Sequence, residues 1–444
     1  MAETLPLICV DEGGALPETL TAVQRRWAEA NGFKGERGRL LPLPGEGGLD
    51  GFLFGLGRKA DRSKLVTGLA AAALEAGDYR LEGNFGDPTL AALGFRLGAY
   101  RFDRYRQAKM PVRLETPKGA SAEVDVLVGA AFLARDLINT PANDLGPEAF
   151  DREIRRFGEQ HRMVVRAVVG DELLAQNFPM IHAVGRGGPE APRLLDLSWG
   201  RDGDPKVTLV GKGVTFDTGG LDIKPPTGMA LMKKDMGGAA NILGLAHAIV
   251  ASQLKVRLRV LIPVVENSIS ATSFRPGDVL QSRSGQTVEI GNTDAEGRLI
   301  LADALTLADE ESPALLLDMA TLTGAARTAL GPDLPPLYST DDVLAREFMA
   351  AGLASDDPLW QMPLWGPYDQ MMNSKIADMN NAGSSPFAGS ITAALFLRRF
   401  VKHAGAWVHL DIFGWAPEAR PGRPFGGTDQ GIRAVYGVLK QRYS

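Results

Sequence analysis

The order of apolar and polar residues divides the chain into a shorter, mixed first part and a longer, regularly alternating second part. In the first part, short apolar runs separated by turn-rich stretches predict a strand at 6–10, helices at 16–30 and 63–76, and strands with turns around 45–57. No catalytic spacing occurs in this part. We therefore expect residues 1–120 to form a small N-terminal α/β accessory domain.

The second part begins with a long apolar-periodic segment at residues 122–139, which predicts a connector helix that Pro141 and its Asn and Asp neighbours stop. Beyond it, strand-like runs alternate with helical ones. The predicted strands are 163–169, 194–199, 207–211, 256–265 and 314–320, and the predicted helices are 172–177, 236–252 and 299–311. Such alternation predicts an α/β fold, with a larger C-terminal catalytic domain at 121–444 built on a mostly parallel central sheet flanked by helices.

Composition narrows the class of protein. The chain has 444 residues, of which 45% are apolar and 23% charged, as expected for a globular protein of two domains. A net charge of −5 without a polybasic run argues against a nucleic-acid partner. The single cysteine, Cys9, excludes an internal disulfide and Cys-rich zinc sites. No signal-peptide pattern and no run of about 18 apolar residues occurs, so we expect a cytoplasmic protein without a membrane partner.

Several common catalytic motifs are absent. The G-K-G at Gly211–Gly213 lacks the earlier glycine and the following Ser or Thr of a phosphate-binding loop. There is also no H-E-x-x-H and no G-x-S-x-G. These absences remove the common nucleotide-binding and covalent-hydrolase interpretations.

Three segments carry the remaining candidate chemistry, and each joins a predicted strand end to a loop or helix start. They are VGKGVTFDTGGLDIKP with Lys212, Asp217 and Lys224, MKKDMGGAA with Asp235 at a helix N-terminus, and NTDAEGRL with Asp294, Glu296 and Arg298. Strand ends of an α/β sheet are where ligands usually bind. We therefore expect these side chains to form one site.

The spacing by two of Asp294, Glu296 and Arg298 places them on one side only if the segment is extended, which we expect here. Two adjacent carboxylates repel each other unless a cation neutralises them. Four carboxylates are more than one metal needs, and two bridged divalent ions would use them efficiently. The oxygen-rich set favours Mn²⁺ or Mg²⁺ and is compatible with Zn²⁺. A two-metal phosphoesterase would also use clustered carboxylates, and it remains an alternative.

Taken together, GKGVTFDTGGLDIKP, MKKDMGGAA and NTDAEGRL resemble the leucyl (cytosol) aminopeptidase family, and the similarity extends over about residues 135–438. The resemblance implies a metal-dependent aminopeptidase. Such an enzyme removes the N-terminal residue, here expected to be leucine or another apolar one, from peptides with a free N-terminus. It uses a metal-bridging water at a site of two Mn²⁺ or Zn²⁺ ions. The resemblance further implies a homohexamer.

The resemblance also assigns roles to individual residues. It gives one metal to Lys212, Asp217, Asp235 and Glu296, and the other to Asp217, Asp294 and Glu296. It gives oxyanion stabilisation to Lys224 and the positioning of a bicarbonate-like anion to Arg298. The substrate subsite that it implies is lined by Met232, Asn292, Thr321, Leu322 and Gly324.

Two departures from the family pattern bear on substrate preference and on alternatives. After the family-like WVHLDI, the chain continues with FGWAPEARPG (Phe413–Gly422), where family members commonly have small residues. Asp222, two residues before Lys224, stands where the family often has a small polar residue, and we expect this acid to raise the pKa of Lys224. A non-catalytic oligomeric scaffold or DNA-binding regulator that keeps the metal site is a further alternative.

Overall fold

The computed structural model describes residues 4–107 and 110–444, which fall into two compact units. The first unit is Met1–Phe132 with Ala416–Gly426, and the second is Leu133–Trp415 with Gly427–Ser444. Across the residues that the structure describes, no helix combines the length and the apolar character needed to span a bilayer.

The first unit is built on a five-stranded sheet of order β2-β3-β1-β4-β5, in which only the β2–β3 pair is antiparallel. Its strands are β1 Leu5–Asp11, β2 Leu40–Gly45, β3 Gly48–Gly57, β4 Gly77–Gly83 and β5 Val112–Leu114, and its helices are α1 Ala22–Ala30, α2 Gly68–Ala73 and α3 Pro88–Gly98. Along β1, Leu7 and Cys9 join one buried cluster while Ile8 and Val10 join another. Because successive strand residues face opposite ways, both faces of this sheet are covered.

The helix α4 (Glu123–Asn139) carries the chain from the first unit into the second, whose main sheet has nine strands. Their order is β15-β14-β17-β13-β8-β10-β7-β6, with β9 paired to β10. The central strands β17, β13, β8 and β10 are mutually parallel. The pairs β10–β7, β7–β6 and β17–β14 are antiparallel, and β14 pairs with β15 in parallel. The strands of this sheet are β6 Val164–Val169, β7 Arg193–Trp199, β8 Lys206–Gly211, β9 Gly213–Asp217, β10 Arg257–Asn267, β13 Leu315–Ala320, β14 Pro336–Ser339, β15 Trp360–Gln361 and β17 Trp407–Asp411.

The remaining elements complete the chain. The short strands are β11 Val279–Gln281, β12 Thr287–Glu289, β16 Met379–Asn380, β18 Trp415–Ala416 and β19 Gly426–Gly427. The helices are α5 Pro147–Gln160, α6 Glu172–Ala175, α7 Pro179–Gly185, α8 Pro226–Met229, α9 Gly237–Ala251, α10 Gly297–Asp309, α11 Gly324–Leu330, α12 Asp342–Ala354, α13 Gly389–Arg398 and α14 Ile432–Tyr443. Short 3₁₀ turns occur at Lys59–Asp61, Met232–Lys234 and Gly366–Met372.

Helices α9 and α10 lie against the same central strands, β8, β10 and β13. They approach successive residues at the end of β8: a side chain on Gly211 would meet Ala239 of α9, whereas Lys212 extends to Gly297 at the start of α10. Successive residues point to opposite faces, so the two helices cover the two sides of the sheet. Gly238 allows the close approach of α9, because a Cβ there would lie 2.1 Å from the carbonyl oxygen of Met319.

The predicted fold class is confirmed: the chain is a mixed α/β protein with a smaller N-terminal part and a larger, mostly parallel C-terminal one. Two predicted helices are shorter than expected. The first begins only at Ala22, because Thr21 and Gln24 form a capping box that fixes its start. The second covers only Gly68–Ala73 of the predicted 63–76.

Candidate metal centre

The three candidate segments meet at the carboxyl edge of the central parallel strands. Lys212 follows β8, Asp217 ends β9, Thr321 follows β13 and Asp411 ends β17. Neighbouring strands end in register there, since Asn267 of β10 pairs with Asp217 and Ala320 with Asp411. A cavity of about 430 Å³ opens at this edge. The topology therefore gathers these side chains in the place where α/β sheets bind ligands.

Three carboxylates form the centre of the cluster. Asp217, Asp294 and Glu296 each offer an oxygen, and these three atoms lie within 4.8 Å of one another. Asp217 and Glu296 are buried, at 2% and 1% exposure, and Asp294 is partly exposed. Three acidic groups this close in a buried setting repel one another, so the cluster calls for positive charge.

Lys212 and Asp235 form one half of the site. The Lys212 Nζ atom lies 2.8 Å from Asp235 Oδ2 and 2.9 Å from Glu296 Oε1, and it donates to the carbonyl oxygen of Thr321. A Cβ on residue 297 would lie 2.6 Å from Lys212 Nζ, so glycine at that position leaves the room that the lysine occupies. Asp235 itself follows the 3₁₀ turn Met232–Lys234, two residues before α9, and accepts a hydrogen bond from Thr321 Oγ1 at 2.7 Å.

Lys224 forms the other half of the site. Its Nζ atom lies 2.9 Å from Asp217 Oδ2 and is also paired with Asp294. Asp217 Oδ1 accepts hydrogen bonds from the Asn267 side chain and the backbone N–H of Gly219, both at 2.9 Å. Each lysine therefore contacts two carboxylates, and the two halves meet at Asp217 and Glu296.

The pKa values reflect this crowding. Burial, followed by the charge of Asp217, raises the pKa of Glu296 to about 8 and that of Asp294 to about 6. Burial also raises the pKa of Asp235. Burial disfavours the charge on both lysines, but the adjacent carboxylates outweigh it and raise the pKa of Lys212 and Lys224. The carboxylates are therefore short of positive charge even with two lysines beside them.

The oxygen atoms of the cluster test whether metal ions fit. Asp235 Oδ2, Asp294 Oδ1 and both oxygens of Glu296 are buried and accept no hydrogen bond from the described residues. The first two and Glu296 Oε1 have a lysine at ion-pair distance, whereas Glu296 Oε2 has neither contact within the part of the chain that the structure describes. Buried carboxylate oxygens are ordinarily satisfied. Closely spaced carboxylate oxygens that accept no hydrogen bond are the ligands that a hard divalent cation prefers.

The NTDAEGRL segment is not extended, so the expected conformation is wrong. Asp294 lies in a turn, Glu296 is the residue before α10 with helical angles of φ −72° and ψ −36°, and Arg298 lies in the first turn of that helix. The two acids converge because the chain bends between them, rather than because they alternate along a strand. A turn stabilised by Asn292 Oδ1, which accepts from the backbone N–H of Asp294, produces that bend.

Arg298 is partly buried beside the cluster. Its Nη1 atom donates to the carbonyl oxygen of Asn381, and its Nε atom has no hydrogen-bond partner among the described residues. Burial lowers its pKa to about 10, which still leaves it charged near neutral pH. Part of the guanidinium is therefore available to an anion.

The pKa of Lys224 is raised, but the largest charges that raise it are not that of Asp222. Asp222 Oδ2 accepts a hydrogen bond from the backbone N–H of Thr293 at 2.7 Å, and the charges that raise the pKa of Lys224 are those of Asp217 and Asp294. Asp222 instead ties its own loop to the NTDAEGRL segment.

The cavity walls contain all five residues predicted to contact substrate: Met232, Asn292, Thr321, Leu322 and Gly324. The lining residues without a predicted role include three charged side chains and one aromatic one: Lys234, Arg327, Asp411 and Phe413. Lys234 stands inside the MKKDMGGAA segment, and Asp411 and Phe413 belong to or follow WVHLDI, so each lies next to a recognised motif. A charged or aromatic residue beside a ligand segment is a signal that sequence reasoning could have used.

Comparisons with known proteins agree with this geometry. Residues 132–436 match the profile described as the cytosol aminopeptidase family, catalytic domain, and residues 4–117 match the M17 aminopeptidase N-terminal domain. A probable cytosol aminopeptidase of Syntrophotalea carbinolica is 39% identical, over 93% of this chain and 90% of the relative.

Two solved structures are also similar. The crystal structure of a cytosol aminopeptidase from Coxiella burnetii superposes with a TM-score of 0.94 at 44% identity, covering 100% of this chain and 98% of the other. A bottromycin maturation enzyme, BotP, in complex with Mn superposes with a TM-score of 0.90 at 33% identity, covering 99% of this chain and 100% of the other.

Proposed function

Because the chain belongs to the M17 cytosol aminopeptidase family, it is a metal-dependent peptide hydrolase, and we propose that it releases N-terminal residues at a two-metal site. The observation that carries this proposal is the buried trio of Asp217, Asp294 and Glu296, with oxygens within 4.8 Å of one another and Glu296 Oε2 left without a partner in the described chain. Family membership favours this activity over a phosphoesterase or a non-catalytic regulator.

We propose two ligand sets for the cations. Lys212, Asp217, Asp235 and Glu296 would hold one ion, and Asp217, Asp294 and Glu296 the other. This division is supported by the pairing of Lys212 with Asp235 and Glu296, and by the meeting of the two halves at Asp217. When bound, two such ions lower the pKa of a shared water and polarise the scissile carbonyl. Mn²⁺ is the first choice because the donors are oxygen-rich, and Zn²⁺ is the second.

The protein's own residues would orient and stabilise the reacting groups. Lys224 lies at the cavity wall with its Nζ beside Asp217 and Asp294, where it can donate to the oxyanion that develops on the substrate carbonyl. Arg298 keeps its charge and has an unpaired Nε atom in the described structure, which supports its proposed contact with a bicarbonate-like anion. That anion would accept the proton released from the attacking water.

The proposed substrates are peptides with a free N-terminus. Met232 and Leu322 give part of the cavity an apolar lining, which supports a preference for leucine or another apolar first residue. Asn292, Thr321 and Gly324 lie in the same walls and would contact the peptide backbone.

Assembly and location follow from family membership. We propose a homohexamer, which predicts a particle of six times the 47.5 kDa mass of one chain by light scattering. A cytoplasmic location is proposed because the relatives are named cytosol aminopeptidases.

The function is tested by removing and restoring metal. Treatment with EDTA should abolish hydrolysis of L-leucine 4-nitroanilide, and Mn²⁺ or Zn²⁺ should restore it. An N-acetylated leucine anilide should not be cleaved, because it has no free amine. Full activity in protein proven metal-free by elemental analysis would reject the proposal.

A further inference from the structure

Two cations contact one aromatic ring in the wall of the cavity. The Lys234 Nζ atom lies 4.8 Å from the centroid of the Phe413 ring, and the guanidinium carbon of Arg327 lies 4.5 Å from the same centroid. All three residues line the cavity. Phe413 thus holds a lysine and an arginine close together next to the metal centre.

Neither cation has a carboxylate at ion-pair distance in the part of the chain that the structure describes. Among the described residues, Lys234 and Arg327 form no ion pair and no side-chain hydrogen bond, although Lys234 is only 4% exposed. A buried ammonium group without a carboxylate partner is costly, and native structures seldom keep one without a ligand to pair it. Lys234 therefore calls for an anion that the chain does not provide.

The acids near Lys234 are already engaged. Asp235 is paired with Lys212 and accepts from Thr321, and both belong to the metal centre. Asp411 Oδ1 accepts the backbone N–H groups of Leu322 and Thr323 at 3.0 and 3.1 Å, and its Oδ2 accepts from Thr323 Oγ1 at 2.6 Å. Neither acid has an oxygen turned to the lysine as a hydrogen-bond acceptor.

We infer that Lys234 and Arg327 form a subsite that binds a carboxylate of the peptide substrate, and that they determine specificity for such substrates. The inference rests on the proposed peptidase function and deepens it. A carboxylate entering the cavity would gain a charge-assisted contact with Lys234 and a second with the guanidinium of Arg327. Phe413, which belongs to the stretch that departs from the family pattern, positions both.

Two parts of a peptide can supply this carboxylate. One is the C-terminal carboxylate of a dipeptide or tripeptide, which is compatible with an apolar first residue. The other is the side chain of an acidic first residue, which would replace the apolar preference. Both share one chemistry, and matched substrates distinguish them.

The experiment compares charged and neutral substrate pairs on the Mn²⁺-loaded enzyme. L-glutamate α-(4-nitroanilide) against L-glutamine 4-nitroanilide tests the side chain, and Leu-Gly against Leu-Gly amide tests the C-terminus. In the wild type, kcat/KM should favour the charged member of at least one pair. In Lys234→Met that ratio should fall by at least about tenfold, and in Arg327→Met by a smaller factor because Arg327 is exposed.

Binding provides a readout that does not depend on turnover. In calorimetric titrations with L-glutamate and L-glutamine, which have no peptide bond to hydrolyse, L-glutamate should lose affinity in Lys234→Met relative to L-glutamine if the subsite binds an acidic side chain. Arg327 lies at the surface, so Arg327→Met keeps the test valid if Lys234→Met does not fold.

The outcomes separate the two proposals. A ratio of kcat/KM between charged and neutral substrates that is near one in the wild type, or that neither variant changes, overturns the carboxylate subsite and leaves the proposed peptidase function intact. Absence of hydrolysis of every substrate overturns the proposed function, and the titrations then decide the subsite by themselves.

Discussion

Two buried groups of charges in the second unit are built from similar residues and behave differently. One is the metal centre, in which Asp217, Asp235, Asp294 and Glu296 contact Lys212 and Lys224. The other lies at the start of α14, where Arg135 and Arg433 enclose Asp429 and Asp357 also faces Arg433. The second group has as many cations as anions, whereas the first has twice as many acids as lysines.

The two groups also differ in the hydrogen bonds that their carboxylate oxygens accept. Asp429 Oδ1 accepts from Arg135 and its Oδ2 from Arg433, while Asp357 accepts the backbone N–H groups of Gly431 and Arg433. In the metal centre, both oxygens of Glu296 accept no hydrogen bond from any described residue. Burial alone therefore does not identify a ligand site. A ligand site is indicated instead by an excess of acids over cations together with buried carboxylate oxygens that accept no hydrogen bond, because a bound cation would satisfy them.

The largest expected effect comes from neutralising one bare carboxylate. Glu296→Gln should lower kcat/KM for L-leucine 4-nitroanilide by about 10⁴-fold, or about 5.5 kcal/mol, because both proposed ligand sets lose a member. Measured in EDTA near pH 7, its resistance to urea should equal that of the wild type, because burial and the charge of Asp217 raise the pKa of Glu296 to about 8 and the carboxyl is already largely protonated when no metal is bound.

A matched control is Glu266→Gln. Glu266 is partly buried on β10, and its Oε1 atom accepts from Ser268 Oγ at 2.7 Å. The activity of Glu266→Gln should stay within about threefold of that of the wild type, since Glu266 lies outside the proposed ligand sets. Equal losses in both variants would contradict the distinction between satisfied and bare carboxylates.

In the second group, which has as many cations as anions, a substitution should reduce stability rather than activity. Arg433→Met should reduce the free energy of unfolding by about 3–5 kcal/mol, because the buried Asp429 and Asp357 each lose an arginine partner. Urea unfolding in EDTA measures this loss, and the activity of the folded, metal-loaded variant should remain near that of the wild type. Arg442→Met on the same helix is the control: its pair with Glu347 is exposed and contributes about 0.5 kcal/mol. If the two losses were alike, the buried network would not stabilise the fold as argued.

Metal binding should stabilise the acid-rich group, because the cation supplies the positive charge that this group lacks. At a free Mn²⁺ concentration about 100 times its Kd, the free energy of unfolding should rise by about 2.7 kcal/mol. The gain, measured as a shift in the urea midpoint, should vanish in Glu296→Gln and persist in Arg433→Met. Mn²⁺ stabilisation that survives in Glu296→Gln would locate the cation elsewhere.

Most of the fold could be predicted from the sequence, because strands of a parallel sheet are buried runs of apolar residues that stand out along the chain. The strand at Lys206–Gly211 and the helix at Gly237–Ala251 agree with their patterns. The helix Pro147–Gln160 was not predicted, although Phe150, Ile154 and Phe157 have helical spacing and Pro147 is a good first residue. Its many charged residues concealed the apolar stripe.

The site was harder to predict where it depends on tertiary contacts. Asp294 and Glu296 were recognised as candidate ligands, yet the bend that brings them together depends on the side chain of Asn292 and on the start of α10. The role of Asn267 as a donor to Asp217 was missed because the predicted strand stopped at residue 265, whereas β10 continues to 267. Contacts across strands have no signal in local periodicity.

The smallest expected effect concerns a partly buried pair of histidines that forms no ion pair with an acid among the described residues. His161 Nε2 lies 2.8 Å from His247 Nδ1, and His161 Nδ1 lies 3.1 Å from the carbonyl oxygen of Phe157. With Nδ1 of His161 donating to that carbonyl, a neutral His161 accepts at Nε2 from the Nδ1–H of His247. Burial lowers the pKa of His161, and burial with the nearby His161 lowers that of His247 to about 4.

Since these pKa values lie below the ordinary 6.5, the unfolded chain binds more protons than the folded one between about pH 6.5 and 4, and stability falls as the pH falls through that range. We expect the wild type to lose about 1 kcal/mol more than His247→Asn between pH 7 and 5, an amount reduced by partial solvent exposure of the ring. Asn keeps a donor for His161 and cannot titrate, so urea unfolding of the two proteins at both pH values isolates the imidazole. Equal losses of stability in the two proteins would mean that solvent already compensates for the burial of the histidine pair.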